Sequence, residues 1–270
     1  MCQLLGMSCN VPTDIRFSFS GFQRRGGHTA QHADGWGIAF FAGRRFRLYR
    51  DPAPAVESLV ADWVRSAPIR STYVVAHIRK ATRGPVGIEN THPFQRELWG
   101  RHWIFAHNGD LEGFAPVVQG RHQPVGTTDS ELAFCTILGG LEAAFSALPP
   151  LPLLVERLAS LSGEIARHGP FNYLLSNGDF LLAHCADRLS YVERKAPFGT
   201  AHLVDEDVTV DFRALTTPED RVAVIATEPL TDDETWTSLA PGELAVFRDG
   251  ARAAPARADA GRPFATSGIW

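Results

Sequence analysis

The segment MCQLLGMSC, residues 1–9, opens the chain with an apolar run that predicts a short strand starting directly after the initiator methionine. If Met1 is removed, Cys2 carries a thiol and a free α-amine on one residue. The reference pKa of an α-amine, about 7.7–8.0, suits proton transfer near neutral pH. Cys2 is therefore a candidate nucleophile that carries its own base. The alternative is a small hydrophobic packing residue at the start of an edge strand, since buried unreactive cysteine is common.

The composition is that of an ordinary globular protein with a small-molecule partner. Of the 270 residues, 44% are hydrophobic and 21% are charged, and the formal net charge at pH 7 is −4. No long run of like charge occurs, so neither nucleic acid nor a membrane surface is indicated as a partner. The sequence contains neither a signal-peptide pattern nor an apolar run long enough to span a membrane.

The four cysteines, at positions 2, 9, 135 and 185, are widely separated. Such spacing disfavours a zinc site and a disulfide framework, and it fits a reducing cytoplasm, where we expect the protein to act. His28 and His32 are four residues apart but lack the acidic residue of a H-E-x-x-H motif. We therefore expect neither a metal nor any other cofactor.

The pattern of apolar residues changes twice along the chain. Short strands interrupted by glycine come first, two apolar stripes of helical spacing follow at 130–145 and 151–165, and strand patterns return between 171 and 247. This order predicts one α+β domain of layered architecture over residues 2–250. Residues 251–270 are rich in Ala, Arg, Pro and Gly, and we expect them to form a weakly ordered tail with no second domain after it.

Asn108-Gly109 directly follows the predicted strand 103–107. An asparagine side-chain amide beside a glycine backbone N–H can form a two-donor oxyanion hole, the feature that an amide-cleaving site needs next to its nucleophile. The alternative interpretation is a type I′ hairpin turn, which is the commonest use of Asn-Gly.

Two further charged residues can bind the ends of an amino acid. Alternation along the predicted strand 72–79 places His77 and Arg79 on one face, and Arg79 can offer a bidentate fork to a carboxylate. Asp129, at the predicted start of a helix, can bind an ammonium group. A surface arginine and a helix N-cap at Asp129 or Thr128 are the alternatives.

Four segments in a fixed order carry a family resemblance. They are Cys2 at the start, His77-Ile78-Arg79-Lys80-Ala81-Thr82, Ala106-His107-Asn108-Gly109, and Thr128-Asp129-Ser130-Glu131. Together they resemble the class-II glutamine amidotransferase domain of the N-terminal nucleophile hydrolases, and in particular its stand-alone YafJ-type members. The segments 34–38, DGWGI, and 89–94, ENTHPF, also resemble loops of that family, so the match spans about residues 2–250.

The resemblance implies a four-layer αββα sandwich and a role for each of seven residues. Cys2 would be the nucleophile and its α-amine the base, Asn108 and Gly109 the oxyanion hole, Arg79 and Thr82 the carboxylate anchors, Asp129 the ammonium anchor, and Arg25 a supporting residue near the nucleophile. The chain departs from the family's synthases at Lys80 and Arg83, where tryptophan and histidine are frequent. These departures bear on how glutamine is held and how the loop closes.

The function implied is hydrolysis of a glutamine or γ-glutamyl side-chain amide through a Cys2 thioester, which releases glutamate and either ammonia or an amine. Two alternatives stay open. The chain can be a glutaminase subunit that feeds ammonia to a separate synthase, or a non-catalytic sensor that binds glutamine or a γ-glutamyl compound through Arg79 and Asp129. The sequence also leaves open whether the protein forms a homo-oligomer.

Overall fold

Two antiparallel sheets form the frame of the protein. The computed structural model describes residues 2–118 and 120–253. The strands are β1 (Gln3–Asp14), β2 (Trp36–Ala42), β3 (Arg45–Asp51), β4 (Arg70–Ile78), β5 (Phe94–Leu98), β6 (Arg101–Asn108), β7 (Asn172–Ser176), β8 (Leu181–Cys185), β9 (Ser190–Lys195), β10 (Thr200–His202), β11 (Thr209–Asp211), β12 (Arg221–Ala226), β13 (Thr237–Ser238), β14 (Glu243–Arg248) and β15 (Ala251–Arg252).

The helices are α1 (Arg16–Arg24), α2 (Leu59–Ser66), α3 (Asp129–Ala144) and α4 (Leu151–Ile165), with short 3₁₀ turns at Ala55–Glu57, Ile88–Asn90, Ala166–His168 and Phe212–Ala214. Across the described residues, no helix combines the length and the apolar character that crossing a bilayer requires.

The strands divide into a seven-stranded sheet and a six-stranded sheet. The first has the order β13-β9-β12-β1-β4-β2-β3, the second has the order β15-β14-β8-β7-β6-β5, and β10 and β11 form a separate hairpin. β1 lies between β4 and β12 and is antiparallel to both. The predicted strand at the start of the chain is therefore present, and it is an interior strand of the larger sheet rather than an edge strand.

Three apolar clusters separate four layers. Phe22 of α1 belongs to the cluster under the seven-stranded sheet, and Leu4 and Leu174 belong to the cluster between the sheets. In the third cluster, Phe134 of α3 stacks on Phe105 of β6 with ring centroids 4.9 Å apart. Helices thus cover the outer face of each sheet, and the predicted α+β fold, a four-layer αββα sandwich, is confirmed.

The structure contains elements that the sequence pattern did not predict, among them a helix and an edge strand. The helix α1 has only nine residues, and its inward side is carried by Phe19 and Phe22, a stripe too short to show a clear helical period. The strand β5 pairs with β6 at the edge of the six-stranded sheet, where the sequence analysis predicts no strand before 103–107. The pairing with β6 makes β5 a strand, although the composition of β5 alone does not predict one.

The C-terminal end of the described chain continues the sheet beyond the predicted domain boundary at residue 250. Ala251 and Arg252 form β15, which pairs with Arg248 and Phe247 of β14. The remainder of the predicted tail, residues 254–270, lies outside the described residues.

A buried ion pair fixes the loop before α3. The Glu131 carboxylate accepts a bond from Arg96 Nη2 at 2.5 Å and from the backbone N–H groups of Val125 and Gly126 at 3.0 and 2.7 Å. The Glu131 side chain is 2% exposed. Because this loop leads into the first turn of α3, the pair also fixes where that helix begins.

We expect Glu131→Ala to lower the free energy of unfolding by about 3 kcal/mol, because Arg96 and two backbone donors then lose their buried partner. Urea denaturation followed by circular dichroism measures the change. Glu156→Ala, at an exposed position on α4, is the matched control and should alter the free energy of unfolding by less than about 0.5 kcal/mol. Equal effects of the two substitutions would contradict a structural role for the buried pair.

Candidate active site

The site lies where the layer between the two sheets opens at the ends of β1, β4 and β6. Pairing of Gln3 with Ile78 brings Cys2 and Arg79, the residues just outside these two strands, next to each other. Side chains alternate along a strand, and Leu4, Val75 and Ala106 all belong to the cluster between the sheets. Cys2, Arg79 and Asn108 each lie an even number of positions from one of these three residues. Their side chains are therefore directed to the same layer.

Cys2 is half-buried and its sulfur contacts one neighbouring residue of the backbone. Sγ accepts a hydrogen bond from the Lys80 N–H at 3.2 Å and lies 3.4 Å from the Lys80 carbonyl oxygen, to which the thiol can donate. Burial raises the pKa of the Cys2 thiol above its usual value, against the opposing effects of the Lys80 amide and the Arg79 charge. The thiol is thus protonated at neutral pH, and its use as a nucleophile requires a base.

Asn108 is completely buried and its side-chain amide is unsatisfied. Within the described chain, neither Nδ2 nor Oδ1 has a hydrogen-bond partner, whereas its backbone carbonyl accepts a bond from Asn172 Nδ2 at 3.1 Å. A buried polar group without a partner costs about 1–3 kcal/mol, so such groups are rare outside functional sites. The amide thus keeps its hydrogen-bonding capacity free of partners within the described residues, and Asn108 is not among the residues that line the cavities next to Cys2.

The Asn108-Gly109 pair is not a hairpin turn. β6 ends at Asn108 and pairs with β5 and β7, and the chain beyond Gly109 runs through a long loop to α3. A Cβ at Gly109 would lie 1.7 Å from the carbonyl oxygen of Pro170. The position therefore requires glycine because of this close backbone approach.

Asp129 begins α3 but does not cap it. Thr128 is the N-cap, and its side chain accepts a bond from the Glu131 N–H at 3.2 Å. Asp129 Oδ2 accepts the Leu111 N–H at 2.8 Å, and Arg83 Nε lies 3.9 Å from the same oxygen. The carboxylate is thus almost buried and already faces a cation from the loop that follows β4.

The predicted carboxylate anchors lie on that loop and close over the site. Arg79 Nη1 donates to the carbonyl of Pro85 at 3.1 Å, and Nη2 donates to those of Arg83 and Gly84 at 2.8 and 3.2 Å. Thr82 is exposed and lines the same cavity, together with Cys2, Arg79, Gly109 and Asp129. This cavity, which we call the small cavity, has a volume of about 20 Å³, room for little more than one water.

Arg25 lies apart from the other predicted residues. Its guanidinium donates to Asp205 Oδ2 at 2.7 Å and to the carbonyls of Glu228 and Pro229 at 3.0 and 2.6 Å. It lines a second cavity of about 450 Å³, the large cavity, that also reaches Cys2. Because these donors bind groups of the protein itself, Arg25 forms part of the cavity wall near Cys2, and its predicted supporting role stays a prediction.

A family model for class-II glutamine amidotransferases matches residues 1–266. The chain belongs to this family. It is 51% identical over 253 residues to an Escherichia coli (strain K12) protein named "Putative glutamine amidotransferase YafJ", with 93% of this chain and 99% of that protein covered. It is also similar to a crystal structure of a "predicted glutamine amidotransferase" from Pseudomonas aeruginosa PA01, with a TM-score of 0.76, 49% identity, and coverage of 94% of this chain and all of that chain.

A more distant relative has a more specific name. The "Gamma-glutamyl-hercynylcysteine sulfoxide hydrolase" of Mycobacterium tuberculosis (strain ATCC 25618 / H37Rv) is 31% identical over 174 residues, which cover 63% of this chain and 67% of that protein. The family and this relative together support, in general terms, an enzyme that hydrolyses the amide of glutamine or of a γ-glutamyl compound.

Three buried histidines, two of which line the small cavity, have no role in the predictions from the sequence, although each lies within a segment that carries the family resemblance. The rings of His77 and His92 are tilted by 35° with centroids 4.1 Å apart, and His107 Nδ1 lies 2.8 Å from Ser130 Oγ. Burial lowers the pKa of His77 to about 3 and that of His107 to about 4, and it lowers the pKa of His92 well below its usual value. All three rings are neutral at pH 7.

These histidines should make the protein less stable as the pH falls from 7 to 5. An unfolded histidine binds a proton near pH 6.5, whereas the folded rings do so only at much lower pH, so the unfolded state takes up more protons in this window. We expect His92→Phe, which replaces one unpartnered ring by an apolar one beside Phe94, to reduce the loss by about 1 kcal/mol per pH unit.

Urea denaturation of the wild type and of His92→Phe at pH 7, 6 and 5 measures this difference. His28→Phe, at an exposed histidine, is the control substitution. If His92→Phe has the same pH dependence as the wild type, the neutral state of His92 in the folded protein is wrong.

Proposed function

We propose that this chain hydrolyses the side-chain amide of glutamine or of a γ-glutamyl compound, with Cys2 as the nucleophile. The observation that carries the proposal is the unsatisfied, fully buried Asn108 amide, which is directed to the same layer as Cys2 and precedes a glycine held against Pro170. Preorganised donors of this kind stabilise charge that develops in a transition state. Membership of the class-II glutamine amidotransferase family supports the same chemistry.

In the first half of the reaction, the Cys2 α-amine takes the thiol proton while Sγ attacks the amide carbonyl carbon. The carbonyl oxygen becomes an oxyanion that accepts hydrogen bonds from Asn108 Nδ2 and the Gly109 N–H. The intermediate collapses, the C–N bond breaks, and the departing nitrogen takes the proton from the α-ammonium group. A thioester between Cys2 and the glutamyl group remains.

In the second half, water attacks the thioester carbon and gives a proton to the Cys2 α-amine. The same two donors hold the second oxyanion. When the C–S bond breaks, the sulfur regains its proton from the α-ammonium group and glutamate leaves. The base is needed because burial keeps the Cys2 thiol protonated, with its pKa raised.

The glutamyl group is held by Arg79 and Thr82 at its α-carboxylate and by Asp129 at its α-ammonium group. The small cavity of about 20 Å³ cannot hold a glutamyl group, so the loop at residues 81–87 has to open first. Arg83, which bridges Asp110 at 2.6 Å and lies near Asp129, gives way to the substrate's ammonium. The substrate carboxylate then replaces the loop carbonyls on Arg79.

The proposed base exists only after removal of Met1. An amide nitrogen has no basic lone pair, so a chain that retains Met1 lacks the α-amine on Cys2. The four cysteines are all free thiols, which supports a reducing compartment, and we propose the cytoplasm as the place of the reaction.

Replacing the nucleophile tests the proposal. We expect Cys2→Ala to reduce glutamate release from glutamine by at least about 10⁴-fold, because no thioester can form. Cys9→Ala, at a buried cysteine further along β1, is the matched control and should retain activity. A coupled glutamate dehydrogenase assay on the two purified variants measures the difference. Residual activity of Cys2→Ala near that of the control would overturn the assignment of Cys2.

Substituting two asparagines, Asn108 and Asn172, tests the assignment of Asn108 to the oxyanion hole separately. Asn108→Ala should lower kcat by about 10²–10³-fold while leaving the free energy of unfolding nearly unchanged, since its side chain makes no hydrogen bond to lose. Asn172→Ala should instead destabilise the fold, since Asn172 Nδ2 donates to the Asn108 carbonyl and its Oδ1 accepts the backbone N–H groups of Ala186 and Asp187.

Glutamate release and urea denaturation are measured on both asparagine variants. If Asn108→Ala retains the wild-type kcat, the side-chain donor of the oxyanion hole is misassigned.

A further inference from the structure

The large cavity meets the small cavity at Cys2. The two cavities share only Cys2 and Lys80 among the residues that line them. Gly109, Asp129 and Arg79 line the small cavity and none of them lines the large one. A substrate whose glutamyl part occupies the small cavity therefore has its scissile bond at the boundary between the two spaces.

The volume of the large cavity is much greater than the volume of an ammonia molecule. Its volume is about 450 Å³, whereas a molecule as small as water occupies roughly 30 Å³ of liquid. The volume lies within the range of about 300–1,000 Å³ that is usual for sites that bind small organic molecules. Since the carbonyl oxygen and the glutamyl chain occupy the side of Asn108 and Asp129, the nitrogen substituent of the amide points into the large cavity.

The charges around the large cavity leave one cation uncompensated. Arg25 is paired with Asp205 at 2.7 Å, and Arg188 approaches Glu228 to 4.0 Å at the rim. Lys80 is exposed, and no ion pair is formed by its ammonium anywhere in the described part of the chain. Its backbone N–H lies 3.2 Å from the Cys2 sulfur, so this side chain starts beside the reacting bond.

Lysine is also rare in this protein. The printed sequence has two lysines, Lys80 and Lys195, among 26 basic residues. A lysine ammonium on its flexible stem can follow a small anionic group without the fixed geometry of an arginine fork. Because Lys80 lines both cavities and its backbone adjoins the Cys2 sulfur, an anionic group close to the departing nitrogen is the natural partner for its side chain.

We propose that the departing group is an amino acid, so that the preferred substrate is a γ-glutamyl amino acid whose second carboxylate binds Lys80 in the large cavity. This inference rests on the proposed function. In the step concerned, the C–N bond breaks, the nitrogen keeps the electron pair and takes a proton from the Cys2 α-ammonium group, and the free amino acid leaves through the large cavity. Glutamine, which releases only ammonia, leaves this cavity unused.

The test compares two substrates that differ at one terminal group, a carboxylate in γ-glutamylglycine and an uncharged carboxamide in γ-glutamylglycinamide, on the full-length chain freed of Met1. We expect kcat/KM for glutamate release to be about 10-fold or more higher for γ-glutamylglycine, the size expected of one hydrogen bond between charged groups. Lys80→Met should bring the ratio of the two values close to one, and Lys80→Arg should restore most of it. Lys195→Met, at an exposed lysine on β9, should leave the ratio as in the wild type.

Three results separate the two proposals. A high ratio in the wild type that collapses in Lys80→Met supports the amino acid as the departing group. A wild-type ratio near one, or a high ratio that survives in Lys80→Met, overturns this inference even if glutamine and both peptides are hydrolysed through Cys2. If the Met1-free chain releases glutamate from no γ-glutamyl donor, the proposed function fails and this inference fails with it.

Discussion

The antiparallel register that pairs Gln3 with Ile78 is the constraint on which the site depends. It sets Cys2 beside Arg79 and Lys80, and the alternation of the two strands directs Cys2 and Arg79 into the layer between the sheets. A slip of one residue would turn each of them to the helix-covered face. Because β1 is flanked by β4 and β12 and its side chains fill two of the three apolar clusters, burial on both faces fixes this register.

Near Cys2, several polar side chains are buried without hydrogen-bond partners in the described chain, which lowers the stability of the fold. Asn108 is buried with an unsatisfied amide, and His92 is buried with two ring nitrogens that have no partner in the described chain. Arg79 and Arg83 meanwhile bind protein groups in the closed loop. The surrounding structure holds this arrangement in place. The Arg96–Glu131 pair before α3 and the close approach of Gly109 to Pro170 are two of the contacts that do so. In the proposed function, the substrate can therefore replace the loop groups that Arg79 and Arg83 bind without any rearrangement of the sheets.

Much of this could be predicted from local pattern. The face shared by His77 and Arg79 follows from alternation, and the helices α3 and α4 follow from their apolar stripes. What could not be predicted depends on contacts between distant parts of the chain. The Arg25 guanidinium donates hydrogen bonds to the carboxylate of residue 205 and to the backbone carbonyls of residues 228 and 229, which lie about 180–200 positions later in the chain. The position of Arg83 beside Asp129 depends in the same way on how one loop folds over another.

The central claim is that the working protein starts at Cys2 and uses that residue as both nucleophile and base. The most direct test is the intact mass of the purified protein before and after incubation with 6-diazo-5-oxo-norleucine, a glutamine analogue that alkylates such a cysteine. The account predicts a mass lower than that of the full sequence by one methionine residue and a single adduct, mapped by peptide sequencing to Cys2. A chain that lacks Met1 yet forms no adduct, or forms it at another cysteine, would contradict the account.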